Sequence, residues 1–309
     1  YYGCADSYIG VAIADETRLA PAFSKISGPI LEPTDGFESE RVFNPTVVGS
    51  SARINMIYRA QSKQGSTSLG LAYSEDGRNF SRYENNPIIV PSASYDRYGC
   101  EDPRVVEIEG TYYLTYVGND KGKTPGNICL ATSRDLIHWR KRGESLQPKH
   151  GWEISQIEAG AILPEKVNGR YWMYYQGEAE AWRTKMGIAY SRDLIHWEQA
   201  DTPVMVPREG YFDSQGTEPG CAVMLPQGIL VIYNGWNETT QNKAGWALFS
   251  KEDPTRLIAR CDSPIISLPD RHVFASALIQ FRGEWYIYWG ADDRWIDGAF
   301  RDAATSEIK

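Results

Sequence analysis

The sequence predicts an all-β fold, a five-bladed β-propeller with four antiparallel strands per blade and the N-terminus completing the last blade. Three observations carry it. The frame S-x-D-x-x-x-aromatic recurs at Ser74-Asp76-Phe80, Ser133-Asp135-Trp139 and Ser191-Asp193-Trp197, so that its aspartates are almost evenly spaced. Aromatic strand cores INMIYRA, YYLTYVG, YWMYYQG, ILVIYNG and YIYWGAD place Tyr58, Tyr116, Tyr175, Tyr233 and Trp289 at nearly the same interval. Each unit holds four short segments rich in Val, Ile, Tyr and Trp between Gly, Asn, Asp and Pro clusters, with no helical period of useful length. A repeat of this length with four strands is the size of a blade, whereas solenoid repeats are shorter and need capping ends.

Within a unit the first strand reads NPTVV, DPRVVEI, GAILPEK, GCAVML and SALIQF in turn, and the second is the aromatic core. The third reads LGLAYS, ICLATS, MGIAYS and GWALFS. The fourth ends in a proline-bracketed stretch, NPIIVP at 86–91, TPVMVP at 202–207 and SPIISL at 263–268. Near the start SGPILEP, with Pro29 one repeat length ahead of Pro87, has the text of a fourth strand without a blade, and the last blade lacks one. Segments 8–15 and 295–302 both resemble a third strand and compete for that place. The whole chain, 1–309, is expected to form one catalytic domain.

At 309 residues and 42% hydrophobic the chain can bury a full core. No apolar run is long enough to span a bilayer, and neither a signal peptide nor an initiating Met is present, so the chain is expected to be a processed or trimmed product. A soluble protein is expected, in a bacterial cytoplasm or periplasm. A net charge of −8 without a basic run argues against nucleic acid or an anionic membrane as partner. A neutral small molecule fits better. Five cysteines show no C-x-x-C spacing, so no zinc site or disulfide framework is implied and no cofactor or metal is expected. His138 and His196 share one place in the repeated DLIHW, which favours a structural role for both.

In a propeller the innermost strands converge on one mouth. Counting back from each aromatic marker by one fixed offset, that from Tyr58 to Asn44, gives Asn44, Asp102, the Gly160/Ala161 pair, Pro219 and Ala275, with Glu101, Glu158 and Glu218 close by. Three of five blades therefore aim a carboxylate at one cavity. A glycosidase needs one carboxyl as acid and one as base or nucleophile, ~6.5–9.5 Å apart for inversion and ~5–5.5 Å for retention. Arg59, Gln176, Asn234-Gly235-Trp236 and Asp292-Asp293 begin the loops after the second strands and offer hydrogen-bonding groups with an aromatic plane, as a sugar site requires.

At GCEDPRVV (99–106), with FNPTVV, IYRA, SLGLAYSEDG, LPEKVNGRYWM, SRDLIHW and YWGADD, the chain resembles glycoside hydrolase family 130 (GH130), the β-mannoside phosphorylases and β-mannosidases, from about Gly28 to Arg301. The resemblance implies a five-bladed propeller with Asp102 as general acid. It also implies that Asn44, Arg59, Arg104 and Asp293 hold the terminal mannosyl unit. Phosphorylases of this family carry M-L-H-R in blade three and I-Y-H-G in blade four, whose Arg and His face phosphate. This chain reads Met173-Tyr174-Tyr175-Gln176 and Ile232-Tyr233-Asn234-Gly235 there. A dianion would meet carboxylates with no Arg fork to hold it, whereas water would not be repelled.

The expectation is therefore an inverting, exo-acting β-mannosidase, with β-1,2-linked mannosides as substrate, Asp102 as acid, and Glu218 or Glu158 as base, Glu218 being preferred for its register with Glu101. Glu101, Tyr116, Gln176, Asn234, Trp236 and Asp292 complete the expected substrate-binding set. Two alternatives stand beside it: a β-mannoside phosphorylase releasing mannose 1-phosphate, drawing on Arg183 or Lys185, and a non-catalytic sugar-binding propeller. A five-bladed furanosidase is a further reading that EDPR and YWGADD disfavour. The oligomeric state is left open.

Overall fold

The computed structural model describes residues 23–120, 126–239, 241–269 and 271–302. Among them are strands and turns, with two short 3-10 turns at Gly36–Glu38 and Ser94–Asp96, and no helix long and apolar enough to cross a membrane. After β1 (Ser24–Lys25) the strands fall into five consecutive units. Unit one is β2 (Arg41–Gly49), β3 (Ile54–Gln61), β4 (Thr67–Ser74) and β5 (Ser81–Arg82). Unit two is β6 (Gly99–Ile108), β7 (Thr111–Asn119), β8 (Asn127–Ser133) and β9 (Arg140–Leu146). Unit three is β10 (Gln156–Ile162), β11 (Tyr171–Glu180), β12 (Arg183–Ser191) and β13 (Trp197–Gln199). Unit four is β14 (Gly216–Leu225), β15 (Gly228–Trp236), β16 (Lys243–Phe249) and β17 (Leu257–Arg260). Unit five is β18 (Val273–Phe281), β19 (Glu284–Ala291) and β20 (Trp295–Asp302).

Each unit is an antiparallel meander, and a single parallel pair, Thr67 with Gly99, joins units one and two into one sheet. The first strands touch in order, β2 with β6, β6 with β10, β10 with β14, β14 with β18, and β18 touches β2. The contacts thus run full circle. β1 pairs with β20, Ser24 opposite Phe300, and Leu31 bridges Ile296 just as Ile89 bridges Leu69 in unit one. The segment around Pro29 therefore does for unit five what the segment around Pro87 does for unit one. Residues 295–302 occupy the third-strand place as β20, while 8–15 lie outside the described residues. The proline-bracketed stretches make only one bridge each to the third strand, at Ile89, Met205 and Ile266, because proline cannot donate to a ladder.

Second strands are buried on both faces, so they read as continuous apolar runs; every residue of β15 is buried. A repeated latch orients them. Tyr58 donates its hydroxyl to Glu38 at 2.8 Å, Tyr116 to Asp96 at 3.1 Å, Tyr175 to Glu153 at 2.7 Å and Tyr233 to Asp213 at 2.8 Å. Each acid follows an aromatic residue, Phe37, Tyr95, Trp152 or Phe212, and the rings of Trp152 and Phe212 stack on Tyr175 and Tyr233. The repeated aromatic-acid pair was legible in the sequence and was missed.

The latch corrects one expectation. Tyr116 is 1% exposed and does not reach the cavity described below, so it is a core residue and not a substrate ligand. Asp96 is fully buried and also accepts the N–H groups of Ser92 and Ala93 and an ion pair from Lys141. Tyr116→Phe removes one donor to a buried carboxylate, worth about 2 kcal/mol. The variant is expected to melt a few degrees lower and to bind substrate with unaltered KM; a changed KM with an unchanged melt would restore Tyr116 to the site.

Candidate active site

All five first strands carry a bulge at the same end, between Phe43 and Thr46, Glu101 and Arg104, Glu158 and Ala161, Pro219 and Cys221, and Ala275 and Ala277. A bulge frees a residue from the ladder and re-aims its side chain. In the first three units the freed residue is left-handed, Asn44 and Asp102 at φ 46° and Ala159 at φ 56°. Asn and Asp tolerate that region better than most residues, and a proline follows both. Counting from Tyr175 pointed to Gly160/Ala161 in unit three, but a longer β10–β11 connection moves the position to Ala159. That brings Glu158, opposite Gln176, into the register of Glu101, opposite Val117, and Glu218, opposite Asn234.

These bulges open on a cavity of about 400 Å³. Asp102, Glu158 and Glu218 line it together, with Asn44, Arg59, Gln176, Trp236 and Asp293. Asp102 is 7% exposed, and its Oδ1 accepts from Asn44 Nδ2 at 2.5 Å and Arg59 Nη1 at 2.9 Å. Among the described residues no donor meets its Oδ2. Arg59 Nη2 also pairs with Glu101 at 2.8 Å, and its guanidinium lies over the Phe43 ring, 4.6 Å from the centroid. Glu101 further accepts from Thr67 and Asn119, so it props Arg59 rather than facing the cavity. Gln176 donates to Glu158 at 3.4 Å, leaving its own Oε1 and the Oδ1 of Asn44 without partners. Buried polar atoms left this way fit the hydroxyls of a ligand.

Other expected ligands lie elsewhere. Arg104, 4% exposed, donates to the carbonyls of Pro103 and Pro219 and to Glu218 at 3.4 Å. It lines a second space of about 340 Å³ between the five first strands, so it supports Glu218 from below and is not a cavity ligand. Asn234 is fully buried and exchanges two hydrogen bonds with the backbone of Ala275 in unit five. Asp292 accepts the His272 N–H at 3.0 Å and pairs with Arg271, away from the cavity.

Sequence reasoning missed Phe43, Gln156, Glu178, Trp182, Thr184, Asn242 and Phe274 in the lining. Strand alternation could have found two of them, since Glu178 lies two positions beyond Gln176 and Gln156 two before Glu158. Trp182 sits on a turn and Asn242 on a loop, where no period applies. Gly216 leaves room for the Trp236 indole, which a Cβ there would meet at 2.1 Å.

The lining holds five carboxyl groups, Asp102, Glu158, Glu178, Glu218 and Asp293, against one guanidinium. Burial, and then the charges of Asp102 and Glu101, push Glu158 up to about 8, with Arg59 pulling the other way. Burial and Asp102 raise Glu218 well above its ordinary range despite Arg104, and burial also raises Asp293 and Glu178. Burial and neighbouring charge thus raise Glu158, Glu218, Asp293 and Glu178 together.

Several buried carboxyls converging beside amide oxygens without partners supply the groups a glycoside-active enzyme needs. A family model, Glyco_hydro_130, described as β-1,4-mannooligosaccharide phosphorylase, matches residues 31–302. The chain belongs to glycoside hydrolase family 130, whose members act on mannosides. A 1,2-β-oligomannan phosphorylase from Thermoanaerobacter sp. (strain X514) is 32% identical over 77% of this chain and 79% of its own length. A β-1,2-mannobiose phosphorylase from the same strain is 29% identical over 87% and 93%. Among solved structures, one reported with the finding that GH130 contains glycoside hydrolases that target β-1,2 mannosidic linkages in Candida mannan is 29% identical. Its TM-score is 0.82, covering 91% of this chain and 94% of that one.

Proposed function

We propose that this chain is a single-domain, five-bladed β-propeller enzyme that cleaves a terminal β-mannoside, with Asp102 protonating the leaving oxygen through Oδ2 and a glutamate activating water. Five meanders whose first strands touch in a circle support the propeller. The observation that carries the choice of water is the lack of a free cation among the described residues of the lining, where five carboxyl groups face one guanidinium that is already paired with Glu101 and Asp102. Inorganic phosphate would enter as an anion with no free fork to receive it, while a neutral water needs only a carboxylate to accept its proton. Glu218 is the preferred base and Glu158 the alternative. Attack from the face opposite the departing oxygen makes the reaction inverting.

Phosphorolysis is the second reading, and the comparisons favour it over hydrolysis, since the named sequence relatives are phosphorylases. It requires phosphate to be held by an amide donor such as Gln176, or by Arg183 or Lys185 moving inward. Assay on β-1,2- and β-1,4-linked manno-oligosaccharides with and without phosphate separates the two. Free mannose formed at equal rate in both conditions, first as the α anomer, is the expected result. Phosphate-dependent mannose 1-phosphate would overturn hydrolysis in favour of the second reading, and silence on every mannoside would overturn both.

A further inference from the structure

Trp182 is 67% exposed, the most open of the large apolar side chains in the described residues, and it lines the catalytic cavity. It sits on the turn between β11 and β12 in the left-handed region, at φ 65°, where a bulky side chain is an outlier. One neighbour pins the turn. The Trp182 carbonyl accepts the Trp236 indole N–H at 2.8 Å. Glu178, on β11 beside this turn, accepts from Gln156 Nε2 at 3.1 Å. The fold thus maintains a strained backbone that presents an indole to solvent, and little burial of that ring offsets the strain. Strain kept at a cavity rim without core packing points to a ligand.

The position identifies which part of the ligand. Asp102, in unit two, must reach the glycosidic oxygen. On its unit-one side stand Asn44 and Arg59, both bonded to it; on its other side stands unit three, with Trp182, Glu178 and Gln156 on its outer edge. A sugar ring offers an apolar C–H face to an indole and equatorial or axial hydroxyls to flanking carboxylate and amide groups.

We propose that Trp182 is the platform on which the leaving-group sugar stacks, with Glu178 and Gln156 binding its hydroxyls. This rests on the reading of the cavity as a mannoside-cleaving site but not on whether water or phosphate attacks. A two-residue turn pinned to Trp236 presents the ring with less entropy loss than ordering a free loop.

The test compares β-mannobiose with β-mannosyl fluoride, whose leaving group carries no sugar. Trp182→Ala is expected to lower kcat/KM for mannobiose roughly tenfold, chiefly through KM, and to affect the fluoride far less; Trp182→Phe should recover most of the loss. Tryptophan fluorescence should change when mannobiose is titrated into Asp102→Asn protein, and the change should shrink markedly in the Asp102→Asn, Trp182→Phe double variant, where Trp236 is the tryptophan left in the lining. Equal losses on both substrates would make Trp182 a merely structural residue, and no loss on mannobiose would remove it from the subsite. Wild-type protein that turns over neither mannobiose nor the fluoride would sink the functional reading instead, independently of Trp182.

Discussion

Asp102→Asn is expected to reduce turnover of manno-oligosaccharides by roughly 10²–10⁴-fold, the range for losing a general acid. The folded state should survive. Arg59 keeps Glu101 as an ionic partner at 2.8 Å, and Asn can present an oxygen to Asn44 and Arg59 in place of Oδ1. The melting temperature should therefore move by no more than a few degrees. A leaving group that needs no proton bypasses the missing acid, so an aryl β-mannoside with an acidic phenol should restore much of the rate. A folded Asn variant that hydrolyses mannobiose normally would take Asp102 out of the mechanism, and a variant equally poor on both substrates would make its role binding rather than proton transfer.

Glu218→Gln carries the next largest effect, again roughly 10²–10⁴-fold if Glu218 is the base, against a smaller loss for Glu158→Gln. The base must be ionised to take a proton from water, and burial raises both carboxyls, so hydrolysis should climb with pH above the usual carboxylate range. If Glu158 were the base, the ascending limb would centre near its value of about 8 and vanish in Glu158→Gln. Stability should run the opposite way. The folded value of Glu158 lies above the unfolded one, so the folded state binds the extra proton between the ordinary glutamate range and about 8. Stability present below that window is lost as pH rises through it. Wild-type melting temperature should thus fall as pH rises from the ordinary glutamate range to about 8, and Glu158→Gln, neutral throughout, should fall less steeply. The slope will be modest, since Glu158 is only half-buried. Mild and equal kinetic losses in both glutamine variants would place the base elsewhere.

Such carboxyls could be located from the chain because a bulge repeats with the blade text. Asp102 and Glu218 were reached by counting from the aromatic markers, and the count failed only in unit three, where a longer hairpin shifted Ala159 into the place expected of Gly160/Ala161. Arg104 was assigned to the mannosyl unit through the family resemblance and not by counting. It stands two positions after Asp102, and strand alternation alone would send both side chains to one face, but the bulge between Glu101 and Arg104 breaks the alternation and turns Arg104 into the space between the first strands. Tyr116 and Asn234 were misread because a polar group on an aromatic strand can serve a core contact as well as a ligand, and the acid or carbonyl that claims it, Asp96 or Ala275, is distant in sequence.

What the sequence by itself determined is whatever repeats: the strand character of each segment, five units, the outer strand that residues near Pro29 lend to unit five, and the family. Local pattern suffices there because each unit solves the same packing problem with the same residue types. Only the tertiary structure decided which polar groups share a cavity, which are consumed by neighbours, and that burial raises Glu158, Glu218 and Asp293. Those properties depend on distance and burial between units a full repeat or more apart in the chain, and Coulomb interactions and desolvation act through space rather than along it.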